Sequence, residues 1–85
     1  MKVLNSFHEP LLPIGTILMY KKLKVEIVGY DGWHDGFADY YIIQPVGESA
    51  YYQRIVRYDD DHLEEIKWNY LTIRKKLLNN LRTSH

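Results

Sequence analysis

Residues 23–46 read LKVEIVGYDGWHDGFADYYIIQPV, and the fold turns on how this stretch is parsed. Leu23, Val25 and Ile27 alternate with Lys24 and Glu26, the period-two pattern of a strand that buries one face. Gly29 ends that alternation. Asp31-Gly32 and Asp35-Gly36 follow within six residues. Both residue types tolerate positive φ, so the segment reads as a turn. Residues 38–46 form a second strand rich in Tyr and Ile. Pro45 marks its end, because proline cannot donate to a ladder.

The same reading extends in both directions. Residues 16–20 are a short strand candidate. Gly47-Glu48-Ser49 is a turn, and residues 50–58 are a further strand. Along that last strand Tyr52, Arg54, Val56 and Tyr58 share one face, with Tyr51, Gln53, Ile55 and Arg57 on the other. Residues 1–15 form an extended lead-in, since Pro10 and Pro13 each remove a donor and fix φ. Short strands joined by tight turns predict a meander closing into a small barrel or half-barrel. The strand pattern resembles SH3-like small barrels in general.

Beyond residue 58 the pattern changes. Asp59-Asp60-Asp61 breaks the alternation, and Asp61 with Glu64 has the spacing of a capping box. From Leu63 to Leu81 apolar residues recur at helical spacing, which predicts a helix over residues 62–82. In a second parse, residues 63–66 are a fifth strand and the helix begins near Lys67. The expected class is therefore α+β: a small antiparallel meander or SH3-like partial barrel of four to five strands, followed by one C-terminal amphipathic helix. At 85 residues the chain makes one domain with a thin core.

The charge is divided along the chain. Residues 1–66 carry six basic and eleven acidic groups, a net of −5, and residues 67–85 carry five basic groups and no acid. On the expected helix, Leu63, Ile66, Tyr70, Ile73, Leu77 and Leu81 form one stripe. Leu71, Leu78 and Trp68 extend it sideways, with Lys67 and Arg74 projecting between. One arrangement wedges the whole face into the parent sheet, with the cations snorkelling to water. The other leaves the flank of Trp68, Leu71 and Leu78, with Arg74 and Lys75, for a second chain. The alternating three-and-four spacing is compatible with a helix pair in a homodimer.

Two further features point to binding. Trp33 sits in the expected turn, where an exposed indole either folds back or meets a partner. Tyr52 and Arg54 place an aromatic and a cation on one strand face, a pairing that stacks bases or clasps a carboxylate. The eight tyrosines supply rigid, amphipathic contact area.

Motifs for chemistry are few. The chain has no cysteine, hence no disulfide, thiol nucleophile or thiolate metal site. Asp31, Asp35, Gly36 and Asp39 match four positions of a calcium loop, but Trp33 and Ile42 fill two ligand positions and cannot ligate. His34 beside Asp35 has no second histidine at a metal-binding spacing. No glycine-rich phosphate loop is present. These readings predict a non-catalytic protein-interaction module without cofactor: an inhibitor or regulator of a larger protein, self-associating through its helix, of the kind phages and mobile elements encode. The second expectation is a nucleic-acid-binding accessory protein that uses surface aromatics and the basic segment. Residues 1–15 lack the unbroken apolar core of a signal peptide, and no segment has the length of a membrane span, so the expected place is the cytoplasm.

Overall fold

The computed structural model describes residues 2–66. They form one antiparallel sheet of five strands: β1 (Ile17–Tyr20), β2 (Leu23–His34), β3 (Phe37–Pro45), β4 (Arg54–Arg57) and β5 (Leu63–Glu65). The strand order is β4-β3-β2-β1-β5, so the last strand returns to the outside of the first. Twist curls the sheet into a half-barrel, with β4 and β5 as its edge strands among the described residues.

The alternation read at residues 23–27 sets the concave face. Leu18 pairs with Val25, and Ile27 with Ile43. All four are buried, and Ile27 and Ile43 are sealed almost completely. Val56 from β4 and Tyr41 from β3 complete this layer, while Tyr20, Tyr58 and Leu63 pack at its margins. Burial of each large aliphatic side chain stabilises the fold by roughly 1.5–3 kcal/mol. The register slips by one residue between Ile27 and Gly29, a bulge that ends the alternation where Gly29 interrupts the sequence pattern.

The N-terminal lead-in is folded rather than merely extended. A bridge joins Leu4 to Pro10, and the buried Asn5 accepts the N–H groups of Phe7 (2.9 Å) and Glu9 (3.1 Å) through Oδ1. Leu11 then enters the core. The Leu12 N–H donates to the Tyr41 hydroxyl, and the Tyr30 hydroxyl donates to the Leu12 carbonyl. This segment closes one end of the half-barrel, and among the described residues the other end is open.

Three expectations are corrected. The α+β class gives way to a nearly all-β fold, with no helix of seven or more residues among those described. The helix does not begin at 62, because Leu63 pairs with Tyr20 and Glu65 with Leu18. The capping box is not used. Asp60, one residue earlier, takes the His62 N–H on Oδ1 at 2.8 Å and turns the chain into β5. The remainder of the expected helix lies outside the described residues. Second, Asp31-Gly32 is not a turn. β2 runs through it to His34, and the reversal occurs at Asp35-Gly36, both with positive φ. Third, Ala50–Tyr52 is a single 3-10 turn, so β4 is only Arg54–Arg57. Among the described residues no helix is long and apolar enough to cross a membrane.

Candidate protein-binding groove

At the open end of the half-barrel the concave face forms a groove of about 280 Å³. Its floor is Ile43, and Leu23 and Pro45 make its aliphatic wall. Tyr20, Lys21, Tyr52 and Arg54 complete it. Each side chain arrives by a local rule. Tyr20 and Leu23 pair across the β1–β2 hairpin and therefore share a face. Arg54 pairs with Ile43, which puts it on the concave side.

Tyr52 owes its place to the connection between β3 and β4. Gly47 takes φ 84° in a turn closed by the Glu48 N–H on the Pro45 carbonyl. The Gln44 amide donates to the Glu48 carbonyl at 2.7 Å, and the Gln53 amide donates to Gln44 Oε1 at 3.0 Å. These bonds brace the 3-10 turn that lifts Tyr51 and Tyr52 beside the groove, their rings edge-to-face at 5.2 Å. Leu23 and Tyr52 are each more than half exposed, and neighbouring Val46 and Tyr51 extend the apolar surface outward.

The electrostatics of the rim are one-sided. The Lys21 ammonium lies 5.4 Å from the Tyr20 ring centroid, and the Arg54 guanidinium lies 5.9 Å from it. The three ion pairs among the described residues join His34 to Asp39, Arg57 to Asp59 and His62 to Asp60, so none engages Lys21 or Arg54. Among the described residues no acid lines the groove.

Of the residues singled out from sequence, Tyr52 and Arg54 are brought together here. Trp33 lies away from the groove, near the β2–β3 turn, 55% exposed and edge-on to Tyr30 at 6.3 Å. Trp68, Leu71, Arg74, Lys75 and Leu78 lie outside the described residues. Tyr20, Lys21, Leu23 and Pro45 were not singled out. Their only signal was the alternation that places Tyr20 and Leu23 on the buried side of their strands.

A polar cluster lies near the β2–β3 turn. His34 Nε2 and Asp39 Oδ2 are 2.8 Å apart, and the Ser6 N–H donates to Asp39 Oδ1 at 2.8 Å. The His34 hydrogen bond first, then the Ser6 N–H, hold the Asp39 carboxyl down at about 2. His34 thus pairs with Asp39 and not with its neighbour Asp35. The carboxylate stands between serine and imidazole. A nucleophilic triad needs the imidazole in the middle, taking the serine proton. The cluster therefore ties the N-terminal loop to the β2–β3 hairpin.

No family model, no curated protein and no solved structure matches the chain.

Proposed function

We propose that this protein is a small non-catalytic interaction module that regulates or inhibits a larger protein by binding it in the groove at the open end of the half-barrel. The observation that carries the reading is the exposure of Leu23 and Tyr52 on either side of a floor formed by the core residue Ile43. A small domain gains by covering such surface, and concave apolar sites with a few polar groups at the rim are where partners dock. The arrangement of Ser6, Asp39 and His34, with the acid in the centre, supports a role without catalysis.

Site-specific photocrosslinking tests the reading. A benzophenone side chain at position 52 is expected to give a discrete adduct with one larger protein in cells that naturally make the chain. The same group at position 57, on the opposite face of β4, is expected to give none. Absence of an adduct from position 52, or an identical adduct from both positions, would sink the proposal.

A further inference from the structure

We infer that the groove takes an extended acidic segment of its partner, with one carboxylate between Lys21 and Arg54 and a neighbouring aliphatic side chain against Leu23, Pro45 and Tyr52. This rests on the groove being the partner-binding surface. It goes further in naming what the partner presents.

The first support is charge. Two cations stand on the rim, and among the described residues neither is in an ion pair and no acid lines the site. A guanidinium and an ammonium that line one groove, 5.9 Å and 5.4 Å from the Tyr20 ring centroid, fit a carboxylate. The second support is backbone geometry. Lys21 and Lys22 form the β1–β2 turn with φ of 50° and 68°. Asn-Gly would make this turn without strain. Backbone strain held at a surface is a sign of function when it positions a group there. Here it sets the Lys21 ammonium on the rim beside Tyr20.

The shape selects an extended segment. The groove has room for a few side chains but none for a packed helix. An extended chain offers alternate side chains to one surface, so a carboxylate and an aliphatic group two residues apart reach rim and wall together. The chain's own residues 67–85 carry five cations and no acid, which the cationic rim disfavours. A nucleic-acid strand is disfavoured as well. The Tyr20 ring already carries two cations, the floor is aliphatic, and the depression on the far side of Lys21 is lined by Asp61 and Glu64. Those acids, with Asp60 in electrostatic contact with Lys21, oppose a run of phosphates more strongly than a single carboxylate.

The test is selection of displayed random dodecamer peptides on the full chain, followed by anisotropy titrations with synthetic copies. Enriched peptides are expected to carry Asp or Glu within two residues of an aliphatic side chain. Replacing that acid by its amide is expected to weaken binding roughly tenfold, about 1.4 kcal/mol. The double variant K21E/R54E is expected to lose the acidic peptide and to bind the same peptide with Lys at the acid position. That reversal is a gain that a misfolded variant could not show. Enriched neutral or basic peptides that lose binding on Tyr52→Ala would overturn this inference and leave the groove reading standing. An empty selection, or peptides insensitive to both Tyr52→Ala and Leu23→Asp, would overturn both. Tighter competition by oligo-dT, or by a synthetic peptide of residues 67–85, would assign the groove to nucleic acid or to the chain's own segment. A dimer in solution that K21E/R54E splits would assign it to a second copy. Each of these outcomes overturns the inference.

Discussion

Arg54 on β4 holds its guanidinium 5.9 Å from the ring centroid of Tyr20 on β1, although β3 and β2 stand between those strands in the sheet. Only a strongly curled sheet brings the two together. The pair therefore reports on the curvature that creates the groove. Its energetic share is small, because a cation at an exposed ring contributes about 0.5–1 kcal/mol.

A double-mutant cycle of Arg54→Gln and Tyr20→Leu is expected to show a coupling of about that size in urea unfolding. Arg54→Gln alone is expected to leave the unfolding m-value unchanged, since the core layer of Leu18, Val25, Ile27 and Ile43 is untouched. A coupling of zero would mean that β1 and β4 do not approach in solution.

The Lys21-Lys22 turn makes an opposite prediction for stability and binding. Left-handed backbone costs a non-glycine residue about 1–2 kcal/mol, and glycine returns part of that gain through the entropy of the unfolded chain. Lys21→Asn with Lys22→Gly is therefore expected to stabilise the protein by roughly 1 kcal/mol, while lowering affinity for an acidic peptide. Thermal melts and peptide titrations on the same sample measure both. Unchanged stability would show that the turn is unstrained.

The two Asp-Gly pairs separate geometry from contact. Gly32 and Gly36 both have positive φ, 68° and 84°. A Cβ on Gly32 would collide with Tyr40 Cδ2, whereas one on Gly36 would meet nothing within 4 Å. Gly36→Ala is expected to lose only the backbone share, about 1–2 kcal/mol. Gly32→Ala is expected to lose clearly more, and Tyr40→Ala in the same chain to recover part of the difference. Equal losses in denaturant unfolding would rule out close packing of Tyr40 on Gly32.

The same two pairs show where sequence reading succeeds and where it stops. The alternation of Leu23, Val25 and Ile27 marks the concave face, with Val25 and Ile27 buried in it and Leu23 exposed at its margin. Asp35-Gly36 reads as a turn and is one. Asp31-Gly32 has identical local chemistry, yet the Tyr40 ring over Gly32 keeps it inside β2, a tertiary contact that no local signal carries. The reverse holds at Lys21-Lys22, a tight turn without turn residues. Leu63 and Ile66 fit both a helix stripe and a strand with its flank, and pairing with Tyr20 decides for the strand. The strand parse puts Tyr52 and Arg54 on one face of a single strand; Tyr52 stands in the 3-10 turn before β4 instead, and both line the groove. Tyr20 and Leu23 join them only through curling of the sheet, which depends on the bulge after Ile27 and on twist along its whole length.

Asp39 gives the pH dependence a sign. Its carboxyl is held at about 2 by His34 and the Ser6 N–H, below the roughly 3.9 of an unfolded aspartate. The folded state therefore binds fewer protons than the unfolded state between these values, and stability rises with pH across that window. The contribution is complete above about pH 4 and is lost as pH falls through about 2. Asp60 is also held low, chiefly by the His62 N–H, and adds in the same direction. Asp39→Asn is expected to flatten the rise in stability across this window, and Asp39→Asn with Asp60→Asn to flatten it further. Hydrogen exchange at the Ser6 amide is expected to accelerate in Asp39→Asn at neutral pH, because an amide oxygen is a weaker acceptor than a carboxylate. Urea unfolding at a series of acid pH values measures the slope. An unchanged slope in Asp39→Asn would show that the carboxylate does not hold the N-terminal loop against the β2–β3 hairpin.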